Sequence, residues 1–136
     1  ERTSEDIKIQ VGPATELDDP LSMDVKGRDM VSGLPKMITV TSNDVKDAIQ
    51  DELLGIIAAV KEVLRRTPPE LAADVMEKGM ILSGGSAQLR NLDKLLADAT
   101  GVPAYVADDP QMCVVKGTGL ALENLEVYKR SVLATK

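Results

Sequence analysis

The chain has almost no aromatic residues: two Tyr, no Phe and no Trp. A core must therefore be built from Leu, Ile, Val, Met and Ala, and stacking of nucleobases on an aromatic-studded sheet is all but excluded. Histidine is absent altogether, which removes His-based catalytic triads and His metal ligands. The single cysteine, Cys113, has no intrachain disulfide partner, so a reducing cytoplasm fits best. Basic residues are outnumbered, 16 against 22 acids, and the net charge of −6 argues against nonspecific attraction to nucleic acid or anionic lipid. No apolar run reaches the roughly 20 residues of a membrane span, and no secretory leader pattern is visible.

Enough hydrophobic residues are present, 43% of 136, for a packed core in one domain or two small subdomains. The chain opens on "ERTSEDIKIQ", without Met and already in helical pattern, and reads as a piece cut from a longer protein. The helix over residues 1–11 is expected to stop at Gly12-Pro13. "LSMDVKGRD" alternates apolar and polar residues, and "KMITVTS" is rich in β-formers. The two read as antiparallel strands joined by a connection containing Gly27, Gly33 and Pro35. Residues 41–67 are expected to form one long amphipathic helix, capped by Ser42 or Asn43 and ended by Pro68-Pro69. Pro69 then opens a shorter helix.

From residue 79 the pattern is β-α-β-α, which implies parallel strands. A short buried strand over 80–82 leads into Ser83-Gly84-Gly85-Ser86 and a helix over 87–99, stopped by Gly101 and Pro103. A second strand, "PAYVADD", precedes a last helix opened by Asp109-Pro110, with fraying expected at the terminus.

The Ser-Gly-Gly-Ser turn is the leading candidate for chemistry. Adjacent glycines let backbone N–H groups approach a phosphate or nucleoside, a helix start adds partial positive charge, and the Ser86 hydroxyl adds a hydrogen bond. An ordinary strand-to-helix turn with a serine cap uses the same residues, and the residues alone leave both readings open. Gly117-Thr118-Gly119 is not half of a dinucleotide fingerprint, because it lies inside a helical pattern and lacks a third glycine; close helix packing is the expected reason. Asp108-Asp109 reads as a helix cap and Cys113 as a small buried apolar residue. No carboxylate pair stands out for acid–base work.

"ERTSEDIKIQVG", "VKGRDMVSGLPK", "RRTPPELAADVMEKGMILSGGSAQLRNLDKLL" and "VADDPQMCVVKGTGLALE" occur in that order. Together they closely resemble the C-terminal part of the MreB/Mbl family, the rod-shape-determining bacterial actins, and the resemblance covers nearly the whole chain. It implies an α/β fold: part of the second lobe of the actin-like (ribonuclease-H-like) ATPase architecture. Residues 1–42 would be a small α+β outer subdomain, and residues 43–136 the closing β-α-β-α part of the inner one.

The resemblance also implies ATP as ligand, with Mg2+ whose ligands lie outside this chain. It implies a slow ATPase coupled to polymerisation, self-assembly into filaments that direct cell-wall synthesis, and membrane-anchored elongation proteins as partners. The expected place is the cytoplasmic face of the membrane, reached through segments outside this chain, with no nucleic-acid partner. Gly84, Gly85, Ser86 and Ala87 match the family's adenosine motif, Gln88 borders the base, and Glu5 and Lys8 match the helix that closes over ribose and adenine. Two positions depart from the family pattern: Ser86 replaces a third glycine, and Gln88 an apolar residue. The phosphate loops and catalytic residues of the family lie upstream of the matching region. The competing expectation is a non-catalytic interaction module that uses the lobe, with the turn as a plain connector.

Overall fold

The structure, a computed structural model, describes residues 2–133. Glu1 at the start of the first expected helix, and the last residues expected to fray, lie outside the described residues. Helix α1 (Arg2–Val11) ends at Gly12-Pro13, where the Gly12 N–H still reaches the Lys8 carbonyl at 3.0 Å and Pro13 cannot continue the ladder. Strands β1 (Ser22–Arg28) and β2 (Pro35–Thr41) form the expected antiparallel hairpin, with Met23 opposite Val40 and Val25 opposite Ile38. The connection is shorter than expected. Gly27 and Pro35 are both in the ladder, and Pro35 stands at the first position of its strand, where a missing N–H is tolerated.

The hairpin loop is held by Asp29, whose carboxylate accepts the N–H groups of Ser32 (2.8 Å) and Val31 (2.9 Å) and a bond from the Lys36 ammonium at 3.3 Å. These donors hold the Asp29 carboxyl below its ordinary value, Ser32 first.

The expected long helix is two helices, α2 (Ser42–Ala48) and α3 (Gln50–Arg66). At Ile49 the N–H is shared between the carbonyls of Val45 (3.1 Å) and Lys46 (3.3 Å), which tightens one turn between them. The cap is Thr41, not Ser42 or Asn43. Asp44 N–H donates to Thr41 Oγ1 at 3.2 Å, and the Asp44 carboxylate accepts the Thr41 hydroxyl (2.6 Å) and N–H (2.8 Å), a complete capping box. Ser42 is instead fully buried and exchanges bonds with Leu21, its Oγ accepting the Leu21 N–H at 3.2 Å.

Helix α4 (Pro69–Lys78) starts on Pro69 as expected. Strands β3 (Met80–Leu82) and β4 (Ala104–Val106) pair in parallel, Ile81 opposite Tyr105, with helix α5 (Leu92–Thr100) crossing between them. β3 is not the buried strand expected. Ile81 is 67% exposed, because β4 is its only paired neighbour among the described residues.

A 3₁₀ turn (Pro110–Met112) then leads to α6 (Cys113–Glu123) and α7 (Leu125–Leu133). They part at Asn124, whose side-chain amide donates to the Leu120 carbonyl at 3.0 Å, competing with the helical ladder. The core lies between α3, α5 and the parallel pair and is built from Ala14, Leu53, Leu92, Leu96 and Ala104. Leu95, on α5, and Leu89, from the extended segment before it, flank it. No described residue of α6 is buried. Gly117 and Gly119 have no heavy atom within 4 Å of a would-be Cβ, so close packing within this chain does not account for them.

Candidate functional site

The Ser83–Gln88 segment leaves the C-terminal end of β3, the end at which parallel sheets form ligand crevices. Gly84 has φ 90° and ψ 171°, a region open in practice only to glycine. Its N–H donates to the Pro110 carbonyl at 2.7 Å, which ties the turn to the loop after β4.

Gly85–Gln88 is a 3₁₀ turn rather than the start of the long helix expected. Leu89 is extended, Asn91 is left-handed at φ 60°, and α5 begins only at Leu92. Asn tolerates that conformation better than other non-glycine residues, so the chain reorients there before the helix begins. The α5 dipole therefore does not start at the glycines. The donors available at the turn are the first-turn N–H groups of Gly85 and Ser86, which have no intrahelical acceptor.

Gly85 and Ser86 are exposed, and no side chain caps the turn, so Ser86 is not the cap that a plain connector would use. Ala87 is buried and anchors the segment. Gln88 is exposed and its Oε1 accepts the Gln111 Nε2 at 3.4 Å. Pro110 and Gln111 thus belong to the same cluster, and nothing in their local sequence pattern announces it.

Glu5 and Lys8 lie on α1. They line an open groove of about 500 Å³ against α2, with Ile7, Val40, Asp44 and Val45 among its walls. None of residues 84–88 lines that groove, and among the described residues no hydrogen bond or ion pair joins Glu5 or Lys8 to the turn. The structure brings Gly84, Gly85, Ser86, Ala87 and Gln88 together and holds Glu5 and Lys8 on a separate element. The link runs through Arg90, whose Nη1 donates to the Ile9 carbonyl at 3.1 Å.

The remaining candidates resolve differently from expectation. The Asp109 carboxylate does not cap a helix. It accepts the Lys116 ammonium at 2.6 Å, which holds the Asp109 carboxyl low and the Lys116 amine high. Asp109 itself is left-handed, φ 48°. Cys113 is half-buried rather than buried, its Sγ 3.7 Å from the Asp109 carbonyl. Among the described residues no group of three or more Cys, Asp or Glu is placed to hold a metal ion, and no helix is long and apolar enough to cross a membrane.

The family model described as MreB/Mbl protein matches residues 1–130. The chain is 49% identical to the cell shape-determining protein Mbl of Bacillus subtilis (strain 168) over 136 residues, 98% of this chain and 40% of that protein. It is 45% identical to the cell shape-determining protein MreB of Escherichia coli (strain K12) over 128 residues, 94% of this chain and 37% of that protein. Among solved structures, MreB5 of Spiroplasma citri bound to ADP aligns with a TM-score of 0.86 at 35% identity, over 96% of this chain and 39% of that one. The AMPPNP-bound structure of the same protein gives the same score over 97% and 40%. The chain therefore spans 37–40% of the length of these relatives. Its helices and strands are part of an actin-like α/β fold, and the chain belongs to the MreB/Mbl family.

Proposed function

We propose that this chain supplies the nucleoside side of an ATP cleft in a filament-forming bacterial actin. Gly84, Gly85, Ser86, Ala87 and Gln88 hold the base and the adjoining phosphate, and Glu5 and Lys8 close over the ribose. The observation that carries the reading is the uncapped turn at the end of β3. It is held in a glycine-only conformation at Gly84 and carries the first-turn N–H groups of two exposed residues, Gly85 and Ser86. One relative, whose solved structures hold ADP and AMPPNP, supports it.

In this reading residues 1–42 form the outer subdomain and residues 43–136 the closing part of the inner one. The complete subunit polymerises, works at the cytoplasmic face of the membrane with membrane-anchored elongation proteins, and directs wall synthesis. Its phosphate loops, catalytic residues and Mg2+ ligands lie outside this chain. The chain alone therefore binds ATP weakly and does not turn it over. A micromolar site is worth about 8 kcal/mol, and keeping half of that leaves roughly millimolar affinity.

In the complete subunit water would attack the terminal phosphate of ATP and release ADP and inorganic phosphate, with the catalytic residues outside this chain. The residues present here bind and orient the nucleotide: N–H donors face the phosphate side, and Gln88 and Gln111 border the base. The test is an NMR titration of the labelled chain with ATP. Weakly saturating shifts at Gly84, Gly85, Ser86, Glu5 and Lys8 are expected, and Gly84→Val should abolish them. If millimolar ATP moves none of these signals, and Gly84→Val leaves ATP binding by the complete subunit intact, the turn is a connector and the lobe an interaction module.

A further inference from the structure

Helix α1 ends with an acceptor that the sequence itself leaves empty. In a continuing helix the Ile9 carbonyl would receive the N–H of the residue four positions on. That residue is Pro13, which has none. The Gly12 N–H is already committed to the Lys8 carbonyl. The Arg90 guanidinium takes the vacant place, donating from Nη1 to the Ile9 carbonyl at 3.1 Å. A cation at a helix C-terminus also meets the negative end of the dipole.

The backbone of Arg90 is held independently of its side chain. Its carbonyl accepts the Ala14 N–H at 2.7 Å, and it forms a parallel bridge with Pro13. Pro13 is fully buried and Ala14 belongs to the core, so this anchor survives any change of the Arg90 side chain. The side chain itself is exposed and has one clear task.

Arg90 follows the 3₁₀ turn by two residues, and Ile9 follows Lys8 by one. Glu5 lies one helical turn before Ile9, about 6 Å along the axis. Resting on the nucleotide reading above, we propose that Arg90 is a positioning residue. It fixes Glu5 and Lys8 relative to the Gly84–Gln88 turn, so that ATP bound at the turn is felt by α1 and by the hairpin on which α1 packs.

The experiment is an ATP titration of the 15N-labelled full chain as wild type, Arg90→Met and Arg90→Lys, with a urea midpoint for each. In the wild type the two segments should respond with one apparent Kd. Arg90→Met should bind about tenfold more weakly and lose the response at Glu5 and Lys8 while the turn still responds, with its midpoint close to wild type. Arg90→Lys, which keeps a donor and the charge, should recover the α1 response. An Arg90→Met variant with wild-type affinity and a wild-type response at both segments overturns the inference alone. So does a collapsed midpoint in both variants, which would make the side chain merely structural. A wild-type chain with no ATP response at either segment overturns this inference; if Gly84→Val also leaves ATP binding by the complete subunit intact, the nucleotide reading falls with it.

Discussion

A single methyl group at Gly79 should cost this fold about as much as a large-to-small deletion from its core. Gly79 joins α4 to β3 with φ 82° and ψ −173°, a conformation that side chains adopt only under strain of about 1–3 kcal/mol. Space is also missing. A Cβ there would stand 2.7 Å from the Pro103 carbonyl oxygen and 2.8 Å from Cε2 of Tyr105. The two neighbours yield differently. The Tyr105 ring is 53% exposed and can swing outward. The Pro103 carbonyl cannot retreat, because it accepts the Met80 N–H at 2.7 Å in the first bond between the parallel segments. Overpacking against a fixed atom adds about 1–3 kcal/mol.

Gly79→Ala is therefore expected to destabilise the chain by about 2–6 kcal/mol, against a total of roughly 5–15 for a domain. Urea unfolding followed by far-UV circular dichroism should show the midpoint falling by about 1–3 M. Gly55→Ala is the control of opposite sign. Gly55 lies within α3 with nothing within 4 Å of a would-be Cβ, so alanine should raise stability by about 1 kcal/mol. A Gly79→Ala midpoint at or above wild type, with Gly55→Ala behaving as stated, would refute the steric and conformational reasoning together.

Thr41→Ala removes the α2 capping box and should cost about 1 kcal/mol in the same assay, against near-neutral Asn43→Ala; equal effects would return the cap to Asn43. The Asp44 carboxyl is held below its ordinary 3.8 by the Thr41 hydroxyl and then the Thr41 N–H. Its contribution is thus present above that value and lost as pH falls through the lower folded value. The stability gap between wild type and Asp44→Asn should be full at neutral pH and should close as pH falls below 3.8; a gap that persists in strong acid contradicts the assignment. Lys116→Met should raise the Asp109 carboxyl toward 3.8, seen as a shifted NMR titration of its side-chain carbon, and an unmoved curve would dismiss the pair. The open edge of β3 should make the chain self-associate with concentration in sedimentation velocity, and Ile81→Lys should suppress it; a compact monomer at high concentration speaks against an exposed edge.

Local chemistry made much of the fold legible. Gly12-Pro13, Pro69 and Gly101 stop or start helices by rules that act within a few residues. The alternation of Met23 and Val25 against Ile38 and Val40 names both strands of the hairpin and their shared face. The errors fall where a local preference met a tertiary one. Ser42 is a good cap by type, but Leu21 already holds it on the hairpin side, so the helix starts on Thr41 instead. The apolar stripe through Val45, Ile49 and Leu53 is continuous in sequence, and periodicity alone cannot show the tight turn at Ile49. Ile81 reads as buried because its neighbours are apolar. Burial depends on how many strands flank it, which a run of three residues does not encode.

The candidate site divides along the same line. Two adjacent glycines after a strand mark the turn, because the conformation at Gly84 is a local demand that few residues meet. Its partners, Pro110 and Gln111, come from a loop whose sequence carries no mark of the contact, and only the parallel pairing of β3 with β4 brings the two loops side by side. Arg90 stands between these cases. That Ile9 would lack its helical donor follows from Pro13 alone, since a proline four residues beyond a carbonyl has no N–H to give it. Which side chain fills the opening does not follow, because the donor sits 81 positions away and reaches it only through the pairing of Pro13 and Ala14 with its own backbone. Sequence thus exposes the vacancy and the fold supplies its occupant. In this chain the occupant lies two residues beyond the turn that the glycines mark, and that adjacency is the physical basis of the proposed coupling between α1 and the turn.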